Sequence, residues 1–148
     1  MLERQELLEQ FNHTLKKMKK VWSKQFKEVN PSQFHILKSL VDAGPQKATG
    51  LAVLLQMTPG AITGASDKLI SKGYAERKGA AQDRRVVYLE ITDKGKQFVE
   101  SMMEKQISVT AKFFEGLSEE DVNHLIRIYR QISNNLDRQT SLDQSDLV

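Results

Sequence analysis

GAAQDRRVVYLEITDKG, residues 79–95, sets small, turn-prone residues beside Asp83-Arg84-Arg85 and then runs into an alternating apolar stretch. Val87, Leu89 and Ile91 alternate with Val86, Tyr88 and Glu90, so Val86 to Ile91 is expected as a half-buried strand anchored by Val87, Leu89 and Ile91. Tyr74 to Lys78 is a shorter strand candidate, and the segment between the two closes a hairpin. Thr92 offers a hydroxyl cap to the helix that follows. A plain surface hairpin, a partner-binding edge and a basic finger aimed at a polyanion all fit this stretch, and its neighbours must separate them.

Upstream, Thr58-Pro59 combines a hydroxyl cap with proline at the first helical turn. The helix it opens runs to about Lys72, with Ile62, Ala65 and Leu69 inward, until Gly73 ends it. A short helix over residues 47–56, burying Leu51, Ala52 and Leu55, precedes it. Asn30-Pro31-Ser32-Gln33 is another start signal, with a cap, a proline and a glutamine three residues after the cap. Phe34, Leu37, Leu40 and Val41 are the expected inward face of that helix, which Gly44-Pro45 stops.

At the N-terminal end, Leu8, Phe11, Leu15, Met18, Trp22 and Phe26 recur at helical steps between Leu7 and Phe26, with Lys16, Lys17, Lys19 and Lys20 largely off that stripe. After Thr92 a long helix offers Phe98, Val99, Met102, Met103, Phe113 and Phe114. Ser118, with Asp121 three residues on, opens a last helix whose stripe is Val122, Leu125, Ile126, Tyr129, Ile132 and Leu136. Residues 139–148 read as a frayed polar tail. The fold class is mainly α with a small β-hairpin (α+β).

The chain has 148 residues, room for one domain with a moderate core. The absence of cysteine removes disulfides, thiolate metal sites and thiol redox chemistry. With no signal-peptide core and no long apolar run, a cytoplasmic protein without a membrane segment is expected. Charge is divided along the chain: Lys/Arg outnumber Asp/Glu by 8 to 5 in residues 1–46 and by 9 to 5 in residues 47–96, whereas residues 97–148 hold 5 against 9. His13, His35 and His124 have no second ligand at helical spacing, so no metal site is expected, and there is no Gly-rich phosphate loop or nucleophile elbow. No cofactor and no enzymatic activity are expected.

Residues 48–72 place two short helices around a tight turn, the helix-turn-helix pattern, whose second helix can enter a DNA major groove. Alone, this is as consistent with a packing unit as with recognition. A basic hairpin directly after it changes the balance, because such a hairpin can lie along the duplex backbone and send Arg84 and Arg85 toward a minor groove. Asp83 then has a use, orienting a neighbouring guanidinium, although in isolation it would be an exposed ion pair worth under about 1 kcal/mol.

GLAVLLQMTPGAITGASDKLISKGYAERKG at 50–79 and DRRVVYLEITDKGK at 83–96 resemble the MarR family of winged helix-turn-helix transcriptional regulators, and the flanking helices extend the resemblance over nearly the whole chain. The D-R-R step, the strand and the T-D-K-G exit are its specific part. The resemblance implies a single domain, 1–148, in which residues 31–96 form the winged helix-turn-helix and residues 1–30 and 97–138 form dimerisation helices. It implies a homodimer that binds a pseudo-palindromic operator in double-stranded DNA, with repression as the family default and a small-molecule effector as a frequent release signal. By position, Thr58, Pro59, Gly60, Ala61, Thr63 and Lys68 fall on the groove-facing helix, Arg84 and Arg85 on the wing, and Asp67, Arg77 and Asp83 at bracing positions. Phe11, Trp22, Phe34, His35 and Met57 lie where an effector pocket can form, and the lack of cysteine excludes the thiol switch of some relatives.

The sequence departs from the family pattern at Gly64 and Ala65, where many relatives carry a basic or bulky residue. The residues alone also favour dimerisation: the first, fifth and sixth helices carry apolar stripes outside the winged-helix unit, and some of that surface requires cover, from packing within one subunit or, in preference, from a shared helical interface. Two-fold symmetry would place the recognition helices about 34 Å apart, one DNA turn. The alternative function is a winged helix that docks an acidic protein partner and has no specific DNA site.

Overall fold

The capping signals become helix boundaries in the computed structural model, which describes residues 1–80 and 82–145. The Asn30 side chain accepts the Gln33 backbone N–H at 2.8 Å while the Gln33 side chain accepts the Asn30 N–H at 3.0 Å, so α2 (Pro31–Ala43) opens on a complete capping box. It ends at Gly44, whose φ of 77° suits glycine. α3 (Ala48–Leu55) stops at Gln56, which takes a left-handed φ of 52° and so makes the tight turn. α4 (Pro59–Ser71) then opens on Thr58, whose hydroxyl accepts the Ala61 N–H at 3.1 Å.

β1 (Ala75–Ala80) and β2 (Asp83–Ile91) form an antiparallel hairpin with Ala75 opposite Ile91, Arg77 opposite Leu89 and Gly79 opposite Val87. A register irregularity between Gly79 and Ala80 brings Ala80 opposite Asp83. Asp83-Arg84-Arg85 therefore belongs to the strand, whereas apolar alternation began it only at Val86; three successive polar residues leave no apolar alternation to mark a strand. Glu76 faces Glu90, a like-charge pair that Lys78 Nζ spans at 3.4 and 3.3 Å. The hydrogen bond to Glu90, its charge and then Glu76 raise the Lys78 amine above the usual lysine value. Gln46 adds a one-residue third strand, exchanging hydrogen bonds with Leu89 at 3.0 and 2.8 Å.

Ile36, Leu37 and Leu40 of α2, Leu51 of α3 and Ile62 and Leu69 of α4 are fully buried, and Leu89 and Ile91 close this core from the hairpin. Two expected core residues lie outside it. Val41 is 43% exposed because the buried face of α2 is Gln33, Phe34, Ile36, Leu37 and Leu40; Val87 is 46% exposed, facing Gly79, which has no side chain to cover it.

Thr92 pins the hairpin to α5 (Asp93–Ala111). Its hydroxyl donates to the Gly73 carbonyl at 2.6 Å and accepts the Gly95 N–H at 3.1 Å, while its own N–H donates to the Tyr74 carbonyl at 3.0 Å. A Cβ on Gly95 would overlap the Tyr74 carbonyl and lie 2.7 Å from Ile91 Cγ1, so only glycine permits this approach. Val99 and Met102 continue the core along α5.

α1 (Leu2–Ser23) has no buried residue. It ends before Phe26, which leaves the helical stripe and packs edge-on against Phe34 at 5.7 Å between centroids. The chain divides into two compact units, the second beginning at Thr110. That unit holds a 3-10 turn (Lys112–Phe114), a left-handed Gly116 and α6 (Glu119–Ser145), which opens where the Ser118 hydroxyl accepts the Asp121 N–H at 3.1 Å. The helix extends to Ser145, with neither glycine nor proline up to that point, and residues 146–148 of the expected polar tail lie outside the described residues. Six α-helices and one two-stranded hairpin make the described residues mainly α, and no helix among them is long and apolar enough to cross a membrane.

Candidate nucleic-acid interface

Helical periodicity divides α4 into two faces. Ile62, Ser66 and Leu69 are buried, whereas Pro59, Gly60, Ala61, Thr63, Gly64, Asp67 and Lys68 are exposed, so every residue assigned to the groove lies on open surface. Two of its hydroxyls are engaged locally: Thr58 Oγ1 accepts from Ala61, and Thr63 Oγ1 donates to the Pro59 carbonyl at 3.0 Å. The helix dipole gives this end of α4 a partial positive charge, although Pro59 has no N–H and Thr58 already caps that of Ala61.

The hairpin itself orients its exposed arginine. Asp83 Oδ1 accepts the Arg85 backbone N–H at 3.0 Å and the Arg85 Nε–H at 3.4 Å, which orients a guanidinium that is otherwise 93% exposed. The side chain of Arg84 lies outside the described part of the structure. Arg77 Nη2 donates to Asp67 Oδ1 at 2.5 Å, joining β1 directly to α4. Between α3, α4 and the hairpin lies a cleft of about 170 Å³ lined by Thr63, Ser66, Arg77 and Val87 among others. Lys47 sits 5.8 Å above the Tyr88 ring and ties the entrance of α3 to β2.

Of the five residues assigned to an effector pocket, Phe34 is a core residue that packs edge-on against His35 at 6.2 Å. Phe11 is 56% exposed on α1, and Trp22 is half-buried. Met57 lines a separate hollow of about 300 Å³ with Asn30, Gln33, Ala61, Gly64 and Lys68, so no described cavity gathers the five. Among the described residues no cluster of His, Asp or Glu could hold a metal ion.

Sequence reasoning missed several positioning residues. Gln46 has no periodic neighbours to mark it as a strand, and Ser66 is a polar residue buried on the inner face of α4. Far-apart residues also form a clamp at the other end of that helix: the Tyr74 hydroxyl donates to the Glu28 carboxylate, and Lys72 Nζ donates to the Glu28 carbonyl. Lys94 Nζ donates to the Lys72 carbonyl at 2.9 Å and lies 5.2 Å over the Tyr74 ring. Burial, and then the hydrogen bond and charge of Glu28, push the Tyr74 phenol up to about 12.

A model of the MarR family matches residues 29–87. The uncharacterized HTH-type transcriptional regulator YkoM of Bacillus subtilis is 31% identical over 102 residues, 69% of this chain and 66% of that protein. Other relatives from B. subtilis and Escherichia coli are named transcriptional repressors. Among solved structures, a MepR-like protein complexed with pseudoligands is 31% identical, with 92% of this chain and 95% of that one covered and a TM-score of 0.56. A MepR point mutant from S. aureus bound to an oligodeoxyribonucleotide has the same fold, with a TM-score of 0.72, 20% identity, and 88% and 97% of the two chains covered. The chain belongs to the MarR family of winged helix-turn-helix transcriptional regulators.

Proposed function

We propose that the protein is a homodimeric, sequence-specific double-stranded DNA-binding regulator, acting in the cytoplasm as a repressor on a pseudo-palindromic operator. α4 enters the major groove through Thr58, Pro59, Gly60, Ala61 and Thr63, with Lys68 against phosphate. Arg84 and Arg85 place the wing along the minor groove, and Asp67, Arg77 and Asp83 hold helix and wing in register. The observation that carries this reading is an open α4 face joined through Asp67 and Arg77 to a hairpin whose exposed Arg85 is already oriented by Asp83. Such preorganisation lowers the entropy lost when the guanidinium meets DNA.

The oligonucleotide on the MepR mutant and the repressor names of several relatives support the reading. The pseudoligands on the MepR-like protein support release by a small molecule, and the hollow under Met57, Ala61 and Gly64 is close enough to α4 to transmit such binding. Fluorescence anisotropy on the gene's own upstream DNA tests the proposal. Affinity should fall steeply with salt, and Arg85→Ala should weaken binding about tenfold while thermal unfolding is unchanged. Binding with no preference over random duplex or heparin would instead favour a winged helix that docks acidic proteins.

A further inference from the structure

We infer that α4 reads an A·T-rich half-site through thymine methyl groups, with its backbone pressed against the groove at Gly60 and Gly64. The inference rests on the DNA-binding reading above and names the class of sequence bound. Guanine and adenine edges are read by guanidinium, ammonium or amide groups that form paired hydrogen bonds. From Thr58 to Gly64 the outward face has none of these. Thr58 Oγ1 accepts the Ala61 N–H, the Thr63 hydroxyl donates to the Pro59 carbonyl and Asp67 Oδ1 accepts from Arg77, so these side chains offer single remaining valences and not the paired donors that read a purine edge. Lys68, a turn further on, is the only cation in α4.

What this face does present is apolar: the Pro59 ring, the Ala61 methyl and the Thr63 methyl. The thymine C5 methyl is the apolar mark in the major groove, and a guanine O6 or N7 facing these groups would lose water without gaining a donor. The two glycines point the same way. They lie four residues apart on one face, neither has the positive φ seen at Gly44, Gly73 and Gly116, and a Cβ at either would meet nothing within 4 Å. Unlike Gly95, then, neither is required by the chain's own packing, although glycine weakens a helix relative to alanine. Their bareness serves a surface outside the chain that the helix backbone must approach closely.

The test is selection of bound duplexes from a random library by the full chain, followed by thymine-to-uracil replacement within the enriched half-site. Groove-facing positions should be dominated by A·T, and each uracil that removes a contacted methyl should weaken binding about fourfold. Gly64→Leu should fold, with an unchanged or higher melting temperature, yet bind the selected site at least tenfold more weakly. Enrichment of G·C-rich half-sites, or uracil substitution without effect at every position, would overturn the inference while leaving DNA binding intact. Gly64→Leu binding within twofold of the parent would overturn the close approach. Failure to enrich any sequence would remove the DNA-binding reading and this inference with it.

Discussion

The winged-helix segment and the helices α1 and α6 draw on the same apolar residue types and use them in opposite ways. Ile36, Leu37, Leu51, Ile62 and Leu69 are fully buried within one chain. On α1, Leu7, Leu8 and Phe11 remain 65, 61 and 56% exposed, and on α6, Val122, Ile126, Tyr129, Ile132 and Leu136 lie between 37 and 57%. The first region closes its own core. The second keeps regular apolar stripes open to solvent, and helical periodicity of that quality is not maintained on a face that only meets water. The difference supports a division of labour, with a self-sufficient reading head and helices whose core is completed by a second copy.

The largest effect should come from within the closed core. Ile62→Ala should cost about 2–5 kcal/mol in urea unfolding, because the buried side chain leaves a cavity; a loss under about 1 kcal/mol would erase the contrast between the regions. On the open side, Ile126→Asp should weaken dimerisation by on the order of a hundredfold, roughly 2.8 kcal/mol, as read by sedimentation across a concentration series. An unchanged dimer would show that α6 does not supply the interface.

Two smaller effects sharpen the account of how the reading head is held. The raised Tyr74 phenol, about 12 in the fold against 10.0 unfolded, keeps its proton better when folded. Its stabilising contribution is therefore complete below about pH 10 and lost as pH rises toward 12, on the order of 1 kcal/mol. Comparing wild type with Tyr74→Phe in denaturant at pH 8 and pH 11.5 isolates this part, and parallel pH dependence of the two proteins would discount the Glu28 clamp. Asn30→Ala should cost about 1 kcal/mol through loss of the capping box. The smallest effect is expected at Arg77→Ala, under about 1 kcal/mol in thermal melts, because its bond to Asp67 is largely exposed.

Caps, breakers and apolar periods are local, and these the sequence by itself determined: Asn30-Pro31, Gly44, Thr58-Pro59 and Thr92 mark the starts and stops seen in the structure, and Leu51, Ile62, Leu69, Leu89 and Ile91 face the core as their spacing requires. The outward face of α4 was legible for the same reason. Features that depend on residues far apart in the chain belong to the tertiary structure alone. It decided that Asp83-Arg84-Arg85 joins the strand, that Gln46 pairs with Leu89, that Glu28 meets Tyr74, and that Val87 stays exposed opposite Gly79. The glycines show the division most plainly: Gly95 is needed because the Tyr74 carbonyl and Ile91 pack where its side chain would be, whereas Gly60 and Gly64 meet nothing of the kind. A sequence shows that a side chain is missing; only the packed chain shows whether anything occupies its place.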